Sequence, residues 1–226
     1  MNKYLSILLI LLMCISCNTS NKKDDSLIVK KWVAVGNSIT WHPINENWPV
    51  KWGMAATSQE NDYVHVFNKM LENKYSDSVS YKIAWAVDWE GNHNNYDLSY
   101  FDSFFDGTED LVVIRIGENV KDVNNYENDF RNLIQYLKKI SPKATFLISG
   151  IFMTESNDLK YKETIQKKIA EEEGCVWVPI NHLDTKDNRN FVGCPIDGKA
   201  IENIAVANHP GDKGMTAIAN ALLNAL

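Results

Sequence analysis

Three residues of this chain have the types that acyl transfer needs, and each stands where the local pattern changes. Ser38 lies in Gly36-Asn37-Ser38-Ile39-Thr40, directly after the apolar run 32–35. Asn119 lies in Arg115-Ile116-Gly117-Glu118-Asn119, directly after the run 111–116. His209 lies in Ala207-Asn208-His209-Pro210-Gly211-Asp212, ahead of a segment with helical spacing. A serine hydroxyl is a poor nucleophile at neutral pH and needs a base within hydrogen-bond reach. Histidine serves because its pKa lies close to the working pH. The tetrahedral intermediate carries an oxyanion that fixed donors must meet, and an asparagine carboxamide or the N–H of a serine at a strand-to-helix turn can do so. Singly, each residue has an ordinary reading: Ser38 as a helix cap, Asn119 as a turn residue, His209 as a loop histidine.

The elements that must position these residues are read from periodicity. Strand-length apolar runs fall at 32–35, 81–87, 111–116, 144–149 and 176–179. Leu111-Val112-Val113-Ile114 and Thr145-Phe146-Leu147-Ile148 are unbroken, as suits strands covered on both faces by helices. Helical spacing links Tyr63, Val66, Phe67, Met70 and Leu71, and then Phe130, Leu133, Ile134, Leu137 and Ile140, with Pro142 as a stop. Tyr161, Ile165 and Ile169 mark a third helix that Gly174 ends. A last helix from about 212 presents Met215, Ile218, Ala219 and Leu222, with Asp212 as the expected N-cap. Strand alternating with helix predicts an α/β fold, a three-layer α/β/α sandwich of flavodoxin-like type with about five mostly parallel strands. Such sheets bind ligands at the carboxyl ends of their strands. Ser38 and Asn119 go to that rim, and His209 joins them if its loop reaches it.

As a set, in this order and spacing, these residues resemble the SGNH hydrolases, also called GDSL-like lipases or acylhydrolases. Gly36-Asn37-Ser38 stands where the family has Gly-Asp-Ser after the first strand. Gly117-Glu118-Asn119 occupies the first three places of a Gly-x-Asn-Asp block, and His209-Pro210 matches the C-terminal His-Pro. The resemblance spans 30–226 and implies Ser38 as nucleophile, His209 as base, and Asn119 with the Ser38 N–H as oxyanion donors. A further donor should be a glycine N–H after the second strand, for which Gly91 or Trp89 is the candidate. Asn37 replaces the usual Asp, and Val120 replaces the second Asp of its block. The family pattern Asp-x-x-His would put an acid at 206, where this chain has Val206. A backbone carbonyl could support His209 instead, as could Asp197 or Glu202, and a Ser–His dyad is the expectation. His42, four residues after Ser38, is a minor candidate for the site.

The rest of the chain sets the context. Lys3 and the apolar stretch 5–13 read as a signal peptide, too short to span a bilayer. Ser16-Cys17 resembles a bacterial lipobox, so residues 1–17 are expected to be a signal with Cys17 lipidated and 18–29 a polar tether. The expected address is an exported lipoprotein facing the periplasm or cell surface, anchored to the membrane by lipid. Fatty-acid labelling that disappears in Cys17→Ala is its signature. An exported domain permits a disulfide between Cys175 and Cys194, and two free thiols are as compatible with the sequence. The formal charge of −6 argues against nucleic acid as a partner. No His/Cys cluster has zinc spacing and no Gly-rich phosphate loop is present, so neither metal nor cofactor is implied. The expected activity is hydrolysis of an acyl ester, acetyl on a carbohydrate, through an acyl-enzyme on Ser38. A lipid or lysophospholipid esterase is one alternative. A catalytically impaired glycan-binding module on the same fold is another, for which Val206 speaks.

Overall fold

The computed structural model describes residues 27–153 and 156–226. The signal, the lipobox and most of the tether, residues 1–26, lie outside the described residues. In chain order the elements are β1 (Lys31–Gly36), α1 (Tyr63–Tyr75), β2 (Ser80–Trp85), α2 (Val87–Asn92), β3 (Leu111–Arg115), α3 (Tyr126–Ile140), β4 (Thr145–Ser149), α4 (Asn157–Glu172), β5 (Val176–Val178), β6 (Pro195–Ile196), β7 (Lys199–Ala200), α5 (Ile204–Ala207) and α6 (Asp212–Asn224). The five long-sheet strands run in the order β2-β1-β3-β4-β5, every pair parallel. This is the three-layer sandwich expected.

Burial on both faces explains the unbroken apolar runs. Trp32, Ala34, Val113 and Leu147 face α1 and α6, meeting Val64, Phe67, Met215 and Ile218. Val33, Val35, Val112, Ile114 and Ile148 face the other way, onto Phe130, Leu133, Ile134, Ile165 and Ile169 of α3 and α4. Side chains still alternate with period two, but neither face meets water, so no polar residue marks the alternation. Charge placement assists α3, with Glu127 and Asp129 in its first turn and Lys138 and Lys139 in its last.

A third, smaller core sits apart from the sheet. Trp48, Val50 and Met54 from the chain after β1 pack against Cys194, Ile196, Ile201, Val206 and Ala207 from the chain before α6. It joins the segment that carries Ser38 to the segment that carries His209.

Three expectations need correction. β2 ends at Trp85, and Val87 opens α2, because an apolar run cannot by itself separate a strand from the buried helix that follows. Tyr161 is 54% exposed; α4 buries Lys162, Ile165, Gln166 and Ile169 instead. Gly211, not Asp212, is the N-cap of α6. The Asp212 carboxylate accepts from Thr57 N (2.8 Å), Thr57 Oγ1 (2.6 Å) and Asn61 Nδ2 (3.0 Å), fastening the loop before α1. Of the two readings left open for Cys175 and Cys194, the structure shows the second, two free thiols. Gly174 does end α4, at φ +64°. Among the described residues no helix is long and apolar enough to cross a membrane.

Candidate active site

The site is built on three strand ends in register. Gly36 of β1 pairs with Trp85 of β2 and with Arg115 of β3, so the residues that follow leave the sheet at one edge. After β1 the chain turns sharply: the N–H groups of Thr40 and Trp41 donate to Asn37 O at 2.9 and 3.0 Å. A Cβ at residue 36 would lie 1.8 Å from Thr40 Oγ1, so only glycine permits the turn. Ser38 is half-buried at its tip. Its carbonyl accepts from Met54 N at 2.8 Å, and its N–H has no partner among the described residues.

His209 reaches the same point. Ser38 Oγ and His209 Nε2 are 2.9 Å apart, and Nδ1 is 2.8 Å from the Ala205 carbonyl oxygen. A carbonyl can only accept, so the imidazole proton sits on Nδ1 and Nε2 is left to accept the Ser38 O–H. The carbonyl is held in place by α5, whose first turn Asn203 caps by accepting from Ala205 N at 2.8 Å. Val206 is therefore no vacancy: its side chain is buried in the third core while the backbone one residue earlier supplies the acceptor. Neither carboxylate candidate does so. Asp197 lies at the exposed β6–β7 turn with φ +47°, Glu202 is exposed, and neither hydrogen-bonds His209.

Burial lowers the His209 pKa to about 4; the bond to Ala205 O and the charge of Glu118 pull it back up, and Arg115 and His42 oppose them. The ring is then neutral at pH 7. The sign for stability follows. The unfolded ring binds a proton near pH 6.5 and the folded one near 4, so the contribution is whole above 6.5 and is lost as pH falls towards 4. In an NMR titration the His209 ring resonances are expected to stay those of the neutral form until about pH 4; an inflection near 6.5 would mean a ring open to water.

Beneath the dyad lies a charged cluster that the spacing of motifs did not reveal. Arg115 is fully buried and donates from Nη1 (2.8 Å) and Nη2 (2.7 Å) to Glu118 Oε1, and from Nη2 to Asn37 Oδ1 (3.1 Å). Asn37 Nδ2 donates to Glu118 Oε2 (2.7 Å) and to Glu90 Oε1 (3.1 Å). Glu90, 1% exposed, also receives Gly117 N (2.5 Å), Asn119 N (3.3 Å) and Asn119 Nδ2 (2.7 Å). Desolvation raises the Glu90 pKa and Glu118 raises it further, against the donors from Asn119, Gly117 and Asn37. Asn37 is thereby explained. Its NH2 bridges two carboxylates, which an aspartate could not do, and an aspartate would add a third negative charge around one guanidinium. Gly117 stands at φ +129°, and a Cβ there would meet Gln166 Nε2 at 2.7 Å, which accounts for the glycine before Glu118. Lys162, also buried, donates to Val120 O at 2.6 Å, so the position the family gives to a second Asp contributes a backbone acceptor and a core side chain.

The structure thus brings Ser38, His209 and Asn119 to one rim, with Asn119 exposed and held by Glu90. Gly91 and Trp89, the candidates for a further N–H donor, both lie in α2. Trp89 buries its ring against His93, Tyr126 and Phe130, and Gly91 is exposed late in α2. The Ala86 N–H donates to Gly36 O (2.8 Å) and that of Glu90 to Ala86 O (3.0 Å). His42 is half-buried, with Nδ1 2.6 Å from Pro43 O and its pKa lowered by burial. It packs edge-to-face on Trp85 (5.5 Å), which Trp41 also meets (5.6 Å), giving the rim an aromatic corner.

The sequence matches no protein-family profile and no curated protein. Solved structures do match. A possible lipase from Chitinophaga pinensis superposes with TM-score 0.54 at 17% identity, over 86% of this chain and 96% of that one. A family 3 carbohydrate esterase from Clostridium thermocellum gives 0.57 at 15%, over 86% and 93%. An acetyl xylan esterase gives 0.53 at 18%, over 87% and 99%. With the sheet order and the dyad in place, these likenesses establish the architecture: the chain has the fold of the SGNH, or GDSL-like, hydrolases.

Proposed function

We propose that this protein is a serine esterase that hydrolyses an acyl ester, acetyl on a carbohydrate, through an acyl-enzyme on Ser38. The observation that carries the reading is the 2.9 Å contact of Ser38 Oγ with His209 Nε2, together with the carbonyl behind Nδ1. His209 takes the hydroxyl proton as Ser38 Oγ attacks the ester carbonyl, and gives it to the departing alcohol. The same ring then takes a proton from water as it attacks the acyl carbon, and returns that proton to Ser38 Oγ as the C–Oγ bond breaks and the carboxylic acid leaves. The oxyanion is met by the free Ser38 N–H and by Asn119. Ala205 O orients the imidazole as a carboxylate would, without neutralising its charge.

Two features support a carbohydrate ester over a lipid one. The aromatic corner of Trp41, His42 and Trp85 offers the flat apolar surface on which sugar rings stack. A cavity of about 330 Å³ lies between the segments leading to the two dyad residues, lined by Asn45, Glu46, Asn47, Lys199, Glu202 and Asn203. Apart from Pro49 and Ala200 the lining is polar and suits hydroxyl groups, and the cavity stands beside Ser38 and His209 without being bordered by them. The structures it resembles include, by their descriptions, a carbohydrate esterase and an acetyl xylan esterase but also a possible lipase, so they support an acyl ester without choosing between the two. Export as a lipoprotein on Cys17 would put the enzyme where glycans are met.

The test measures acetate released from acetylated xylooligosaccharides beside hydrolysis of nitrophenyl acetate and nitrophenyl dodecanoate, with Ser38→Ala as the blank. Turnover of the acetyl esters well above the blank, and little of the dodecanoate, is expected. Preference for dodecanoate would move the assignment to a lipid esterase. Wild-type rates equal to the blank would leave a glycan-binding module.

A further inference from the structure

We propose that Glu90 is a positioning residue that sets the orientation of Asn119 and ties it to the nucleophile turn; this rests on the esterase reading above. A carboxamide presents nearly the same shape when its oxygen and nitrogen exchange places, yet only one orientation offers N–H to an oxyanion. Asn119 is exposed, so packing does not choose the orientation. What chooses it is Glu90 Oε2, which accepts from Nδ2 at 2.7 Å. An ionised carboxylate can only accept, so the flipped carboxamide would set oxygen against oxygen. One Nδ2 hydrogen is spent on Glu90 and the second remains for the rim.

Glu90 can do this because it does not move. It is 1% exposed, and its other oxygen is pinned by Gly117 N, Asn119 N and Asn37 Nδ2. Those donors belong to the loop after β3 and the turn after β1, while Glu90 itself comes from α2, after β2. The segments following three adjacent strands therefore converge on one carboxylate, and Asn37 is the residue before Ser38. A carboxylate so placed registers the oxyanion donor against the nucleophile. A glutamine of the same shape would not, since its NH2 could donate to Oδ1 of the flipped Asn119 equally well.

The experiment compares kcat and KM for nitrophenyl acetate in wild type, Glu90→Gln, Asn119→Ala and the double variant. It adds ¹H–¹⁵N spectra of the Asn119 side-chain amide. Glu90→Gln is expected to lose about 10- to 100-fold in kcat, within the cost of a lost oxyanion donor, with KM unchanged within about twofold. On the Asn119→Ala background it should lose nothing more, because a residue acting through another has no effect once that other is gone. The wild-type amide should show one strongly downfield, slowly exchanging Nδ2 proton, kept in Ser38→Ala and absent in Glu90→Gln. Unchanged kcat in Glu90→Gln, or the same loss on both backgrounds, overturns the proposal. So does a wild-type Asn119 amide that is averaged and fast-exchanging, a result that stands even if Glu90→Gln does not fold. If Ser38→Ala hydrolyses as well as wild type, the esterase reading has failed, and the spectrum alone then decides what Glu90 does to Asn119.

Discussion

Replacing Ser38 by alanine is expected to lower ester hydrolysis by about 10⁴-fold or more, and His209→Ala by a similar factor, with the double variant no worse than either alone. A nucleophile and its general base act as one unit, so removing one leaves the other nothing to do. Both nitrogens of His209 are already assigned, Nε2 to Ser38 Oγ and Nδ1 to Ala205 O, which leaves the ring no competing polar task. Folding should hardly change in Ser38→Ala, since the hydroxyl is half-buried and water can take its place at Nε2. Steady-state rates with nitrophenyl acetate and thermal melts of the same preparations check both statements. Losses that multiply in the double variant would show that the two residues do not share a proton.

Arg115→Met is expected to be among the most destabilising substitutions in the protein, at about 3–5 kcal/mol, because it leaves buried carboxylates without their cation. Arg115 is fully buried and makes bonds to both Glu118 and Asn37. Its removal exposes Glu90 and Glu118 to each other across Asn37. Arg115→Met with Glu118→Met should recover much of the loss, since an apolar pair of similar volume is often tolerated where half an ion pair is not. The pH dependence has a definite sign. Burial already raises Glu90 above its ordinary value, and protonation removes its charge. The deficit of Arg115→Met against wild type therefore narrows as pH falls into the carboxylate range. Urea titrations at pH 7 and pH 5 measure this, and a deficit under about 1 kcal/mol at pH 7 would contradict it.

Much of the architecture was legible because both faces of the sheet are covered. The runs at 111–116 and 144–149 could be read as strands from composition alone, and their helices from the recurring apolar positions. β2 was overextended because Ala86, Val87 and Trp89 continue the apolar run into α2. In the site, Ser38, Asn119 and His209 were legible since their residue types are themselves the chemistry. Ala205 O was not, because a backbone carbonyl has no letter in a sequence; only the absence of an acid at 206 hinted at it. Glu90 and Glu118 carry no mark of burial in the sequence, and only partners up to 81 positions away make them a buried cluster. Arg115 did leave a signal, a charge at the end of an otherwise apolar strand, and its burial follows from that place.

The third core has a consequence for how the protein would fail when heated. The segment bearing Ser38 and the segment bearing His209 meet through Trp48, Val50, Met54, Ile196, Ile201 and Val206 and not through the sheet. So small a cooperative unit opens at lower free energy than the sandwich beneath it. Catalysis should accordingly disappear, and return on cooling, at temperatures where the sheet is still intact. Cys194, 5% exposed inside that unit, is a built-in reporter: its peptide should take up a thiol reagent in step with the loss of turnover, ahead of the melt.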